Sequence, residues 1–143
     1  MCIRDSFISG SVTHDDKWAA DQLLSKLAGL TVEVYLGTVE DVLYAISNLD
    51  LMIGTRLHAN IIAAYFGVPC IGINYRPKVS RFFVDNNLTE YCVDIGQKHQ
   101  LSAVVETVLR NYATVRRQYR HVGSENAKRA DIYYRLSSEI MNA

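Results

Sequence analysis

Along the chain, short continuous apolar runs alternate with stretches whose apolar residues recur every three or four positions. The first pattern marks strands covered on both faces, and the second marks helices with one buried stripe. The clearest segment is residues 51–78, LMIGTRLHANIIAAYFGVPCIGINYRPK. Leu51, Met52 and Ile53 form an apolar run that stops at Gly54, a strand expected to be buried on both faces. Arg56 and His58 fall in the turn that follows. A helix is expected over 60–66, with Ile61, Ile62, Ala64 and Tyr65 apolar and Gly67 as its stop. Val68 and Pro69 lead into a second buried strand over 70–73, and Tyr75, Arg76 and Lys78 stand beyond its end.

Upstream, residues 7–12 predict a first strand, and Thr13, His14, Asp15 and Asp16 a turn with an aspartate as helix cap. The helix to about residue 28 carries Trp18, Leu23, Leu24 and Leu27, and Gly29 ends it. A β-branched run predicts a second strand over 32–36. Thr38, with Asp41 three positions on, is close to a capping box, and Val39, Val42, Leu43 and Ile46 make that helix's expected buried face. Downstream, Val79, Phe82 and Phe83 continue a helix that closes near Asn86 and Asn87. Tyr91, Cys92 and Val93 predict a last strand, residues 97–119 a long helix, and Gly123 an interruption before a final helix. Strands and helices alternate and two helices close the chain. The fold class is therefore α/β, a Rossmann-like, mostly parallel sheet with right-handed crossovers and helices on both faces. No G-x-G-x-x-G, Walker loop or internal repeat is present.

Charge changes the picture locally rather than globally. Fifteen Lys and Arg balance fifteen Asp and Glu, which argues against a general nucleic-acid binder. Yet residues 51–84 contain no acid and hold Arg56, His58, Arg76, Lys78 and Arg81. Parallel sheets bind ligands beyond the carboxyl ends of their strands, where this cluster falls, so an anionic ligand is expected. A helix start near Arg56 would add N–H donors and a favourable dipole. Cys2, Cys70 and Cys92 have no C-x-x-C spacing and read as reduced thiols of a cytoplasmic protein, with Cys70 and Cys92 in strand core. No metal-ligand cluster stands out, so no metal or cofactor is expected. No apolar run approaches the roughly 20 residues of a membrane span, and no signal peptide is expected.

Three elements occur together: Gly54-Thr55-Arg56-Leu57-His58-Ala59, then Gly67-Val68-Pro69, then Asn74-Tyr75-Arg76-Pro77-Lys78-Val79. This triple resembles the C-terminal domain of the polysaccharide pyruvyl transferase family, over residues from about 7 to about 93. Thr55 stands where family members often carry Met. The resemblance implies a GT-B-like architecture, in which two Rossmann-like domains face each other across a cleft and this chain is the donor-side half. It implies transfer of pyruvate from phosphoenolpyruvate to a sugar diol as a ketal, with release of phosphate. The acceptor would be a saccharide or lipid-linked saccharide, and the partner domain would precede this one.

That chemistry needs a proton donor for the methylene carbon and a cationic clamp for the phosphate. Arg56, whose planar fork can hold a carboxylate or phosphate, and His58, whose imidazole can donate a proton or a hydrogen bond, are the expected catalytic residues. Leu57, Tyr75 and Lys78 are expected in substrate binding, with His14 at the same sheet edge. Arg76 is expected to face solvent. Arg116, Arg117, Arg120, Lys128 and Arg129 read as a solvated face or a contact with the partner domain. Tyr119, Tyr133, Tyr134 and Leu136 are expected to be partly exposed without that domain.

Two other readings stand beside this one: a nucleotide-sugar GT-B glycosyltransferase or epimerase, and a non-catalytic anion-binding fragment. The acid-free stretch disfavours the first, because such enzymes commonly hold ribose with an acidic residue. Residues 1–6, MCIRDS, look like a translated sequencing-adapter remnant. They are expected to be a non-native leader to a single domain over 7–143, the C-terminal part of a longer protein.

Overall fold

A computed structural model describes residues 5–8, 32–35 and 38–141. The first helix expected upstream, His14 and Trp18 included, lies outside these residues. The chain divides into two compact units, Met1–Leu49 and Asp50–Ala143.

In the first unit, β1 (Asp5–Ile8) and β2 (Val32–Tyr35) pair in parallel, with Asp5 beside Val32. The first strand begins two residues earlier than the apolar run suggested. Helix α1 (Val39–Ser47) opens with a full capping box: Thr38 Oγ1 accepts from Asp41 N and Asp41 Oδ2 accepts from Thr38 N. Aspartate therefore serves where Glu or Gln is usual. Ile46 is fully buried, but Val39 is 70 % exposed, because it is the first helical residue after the cap. The expected buried stripe starts one turn later.

The second unit is built on three parallel strands, β3 (Met52–Gly54), β4 (Cys70–Asn74) and β5 (Cys92–Asp94), in that order. Gly54 pairs with Gly72, and Asn74 with Asp94. The fold is α/β with parallel strands, as the sequence predicts. Helix α2 (Leu57–Tyr65) crosses from β3 to β4, and α3 (Pro77–Asp85) from β4 to the turn before β5. Both cover the same face of this sheet. A Cβ on Gly54 would lie 2.9 Å from Asn60 Oδ1 of α2, and one on its register partner Gly72 would lie 2.2 Å from the Phe83 ring of α3. Ile53 alternates to the opposite face of this edge strand and is 47 % exposed, so β3 is not covered on both faces as expected.

Each crossover helix ends in a left-handed residue that satisfies its last carbonyls. After α2, Gly67 has φ 66° and Val68 N donates back to Ala63 O at 2.9 Å. After α3, Asn87 has φ 55° and Leu88 N donates to Phe83 O at 2.8 Å. Val68 and Leu88 are themselves buried, which ties each helix end to the core. Burying a side chain of the size of Phe83 or Leu88 stabilises the fold by about 1.5–3 kcal/mol each.

Beyond β5 come a 3-10 segment (Ile95–Gln100), then α4 (Leu101–Arg110) and α5 (Tyr112–Met141). The break expected at Gly123 occurs instead at Asn111, whose Nδ2 caps Thr107 O at 3.0 Å and whose carbonyl opens α5. Gly123 lies buried within continuous helix because α5 crosses α2 there: a Cβ would sit 2.6 Å from both Ala64 O and Tyr65 O. Tyr119 is fully buried, contrary to expectation, and donates to Cys70 O at 2.5 Å. Tyr134 is 74 % exposed, while the side chains of Tyr133 and Leu136 lie outside what is described. Among the described residues, no helix is long and apolar enough to cross a membrane.

Candidate active site

The site is set by two strand ends. β3 stops at Gly54 and β4 runs two residues past its partner, to Asn74, so the segments 55–58 and 75–78 leave the same edge of the sheet. Helix α2 begins at Leu57, three residues before the expected start, and α3 begins at Pro77. Arg56 and Arg76 therefore occupy the two N-cap positions, with extended backbone. Neither helix start is closed by a side-chain capping bond from its N-cap residue, and neither first turn holds an acid. A helix start leaves N–H groups without an intrahelical acceptor, and the dipole adds positive potential. Two such starts on neighbouring strands concentrate positive potential at one sheet edge before any cationic side chain is counted.

The side chains add to it. Arg56 is exposed at the first cap and His58, the second helical residue, is exposed beside it. Leu57 is half-buried at the first helical position, where its backbone N–H has no intrahelical acceptor. On the neighbouring segment Lys78 is exposed as the second residue of α3. Tyr75 is 39 % exposed, and the Arg76 guanidinium lies 5.5 Å from its ring centroid. Arg76 is solvent-facing as expected, but it is held by that stacking. Arg81 points to Asp85 on its own helix, 3.7 Å away, and does not join the cluster. His14 lies outside the described residues.

What holds the first turn is Asn60, a residue the sequence pattern left as an ordinary helical position. It is fully buried. Its Nδ2 donates to Gly54 O at 3.3 Å and Arg56 O at 3.1 Å. One amide thus ties the end of the strand to the cap of the helix. Its Oδ1 faces the Gly54 Cα, where any larger residue would collide. The available signal was a polar residue on the stripe that Ala63 and Ala64 continue inward.

The thiols take no part. Burial pushes the Cys70 thiol up to about 12, and burial with the neighbouring Asp94 carboxylate raises Cys92. Both are free, and neither offers a thiolate near neutrality. Among the described residues, no three His, Cys, Asp or Glu side chains are grouped to hold a metal. The arginines of α5 lie elsewhere. Arg116, read as part of a solvated face or of a contact with a partner domain, is half-buried: its guanidinium lies 5.8 Å from the Tyr112 ring centroid and donates to the Tyr112 hydroxyl at 3.1 Å.

Compared with models of known families, residues 3–77 match the one described as polysaccharide pyruvyl transferase. The chain belongs to the polysaccharide pyruvyl transferase family. The match runs through both strand ends and includes Arg56, Leu57, His58 and Tyr75, stopping one residue short of Lys78. Membership implies a transferase of polysaccharide biosynthesis and a saccharide acceptor. Comparisons with curated proteins and with solved structures gave no match.

Proposed function

We propose that this chain is the donor-side domain of a GT-B-like enzyme that transfers pyruvate from phosphoenolpyruvate to a sugar diol as a ketal, releasing phosphate. The observation that carries this reading is the pair of uncapped, acid-free helix starts, bearing Arg56 and His58 on one and Lys78 on the other, at adjacent parallel strand ends. Phosphoenolpyruvate places a carboxylate and a phosphate on a three-carbon frame, which suits cationic positions at two adjacent strand ends. In this reading Arg56 grips an anionic group in two parallel hydrogen bonds and Lys78 adds a point charge. His58 delivers the proton that the methylene carbon takes up, C2 becomes electrophilic, and one sugar hydroxyl attacks it. The second hydroxyl displaces phosphate, whose charge the clamp balances as it leaves. The other half of the cleft would be a preceding domain of a longer cytoplasmic protein, and residues 7–143 one domain of it.

Calorimetric titration of the chain with phosphoenolpyruvate tests the reading. Binding should weaken as salt rises, fall at least tenfold in Arg56→Ala, and have no counterpart with UDP. A folded chain that binds UDP and not phosphoenolpyruvate would overturn it in favour of a nucleotide-sugar enzyme.

A further inference from the structure

The N-terminal part of α5 gathers cations without counter-charge. Residues 107–124 contain no acid and hold Arg110, Arg116, Arg117, Arg120 and His121. Arg110 is paired with Glu106 on α4. Among the described residues, no carboxylate pairs with Arg116, Arg117 or Arg120. Arg116 and Arg120, four residues apart on one helical face, repel each other. All three stand toward the positive end of a long helix, where acids rather than bases are favoured. Local electrostatics therefore opposes this arrangement, and an added anion turns that cost into a gain.

The same residues line a groove. Tyr112, Ala113, Arg116, Arg117 and Arg120 border an open volume of about 470 Å³, a size common to small-molecule sites. Arg117 and Arg120 are exposed, so a ligand can reach their guanidinium groups. Arg116 is half-buried and held: its Nη1 donates to the Tyr112 hydroxyl at 3.1 Å, and that hydroxyl donates to Asp50 O at 3.0 Å. The stem of Arg120 is seated against Gly67, where a Cβ would lie 2.5 Å from Arg120 Cγ. The groove is remote from the donor edge. α5 is bonded to Asp50, ahead of β3, and to Cys70, the first residue of β4. Both mark the amino ends of the strands, whereas Arg56, His58 and Lys78 stand beyond the carboxyl ends. The five residues of β4 set the two edges about 15 Å apart.

We propose that this groove is a second anion site, in which Arg117 and Arg120, backed by Arg116, hold a phosphate or diphosphate ester. A planar guanidinium matches two oxygens of one phosphate, and three positive charges exceed what a single carboxylate balances. The Tyr112 ring, Ala113 and the arginine stems place apolar wall beside those charges, which suits an ester with an organic part. The ester is either soluble or the headgroup of a lipid, and the chemistry at the arginines is the same. The site stands whether or not the strand ends bind phosphoenolpyruvate.

The test is calorimetric titration of the full chain with inorganic pyrophosphate. Pyrophosphate should still bind the Arg56→Ala chain, whose donor edge is disabled. Arg117→Gln with Arg120→Gln, added to that chain, should weaken binding at least tenfold. Both side chains are exposed, so the urea midpoint should not move. Arg117→Lys with Arg120→Lys keeps the charge and loses the forks, and should still bind several-fold more weakly than the parent. Co-sedimentation with phosphatidylcholine vesicles, with and without phosphatidic acid, separates the two sources. Uptake that needs phosphatidic acid and is lost in the glutamine pair marks a lipid headgroup. Pyrophosphate binding without uptake marks a soluble ester. The proposal is overturned if neither probe binds, or if the glutamine pair leaves binding unchanged. It is overturned equally if the lysine pair binds as tightly as the arginines, which would leave only a solvated charged face.

Discussion

Asn60 does at one residue what a loop would otherwise need several to do. Its amide bonds two backbone carbonyls that flank the turn carrying Arg56. Asn60→Ala leaves both carbonyls without this donor and should cost about 1–3 kcal/mol, read as a lower urea midpoint. Phosphoenolpyruvate binding should weaken as well, since the cap that positions Arg56 is untied. Cys70 supports a second expectation at this scale. Its thiol ionises near 9 in an open chain, whereas burial in β4 pushes it up to about 12. The folded state then holds the proton more tightly than the unfolded state between those values. The stability it contributes is complete below about 9 and is lost as pH rises toward 12. Urea midpoints measured from pH 8 to 11 should fall accordingly, and Cys70→Ala should flatten the fall. Arg56, His58 and Lys78 were legible in the sequence because a stretch of cations with no acid among them is visible in one dimension. Asn60 was not, since its role comes from register and burial.

Among elements, α5 departs most from its sequence signal. Glycine is a poor helix former, and Gly123 reads as a break. Here the missing side chain admits the backbone of α2 instead. Gly123→Ala should therefore destabilise by about 1–3 kcal/mol, although alanine raises helix propensity, and urea unfolding would show which effect governs. The same helix is bonded to a strand and to the segments that flank the sheet. Tyr112 donates to Asp50 O, Tyr119 to Cys70 O, Gln118 to Asn87 O and Asn126 to Asn86 Oδ1. Tyr119→Phe removes one of these bonds and leaves a buried carbonyl, so a loss of about 1–2 kcal/mol is expected in the same assay. The strands and crossover helices were legible because apolar runs and turn residues mark them. The break at Asn111 was not, because asparagine ends a helix through its own side chain rather than by a forbidden backbone.

At the scale of the molecule, the cationic edge is a βαβ product. Parallel strands, short connections and right-handed crossovers deliver both helix starts to one side, and that much followed from the pattern over residues 51–78. The amide pin spans six residues of sequence, while the Tyr119 and Tyr112 bonds span 49 and 62. Contacts close in sequence cost little loop entropy and form early; distant ones form late. The ligand edge is therefore able to take shape while the chain is still emerging, and the helix that locks the sheet arrives last. Destabilising changes in α5 should therefore act mainly on the unfolding rate, whereas Asn60→Ala should slow folding, which stopped-flow refolding in urea would read.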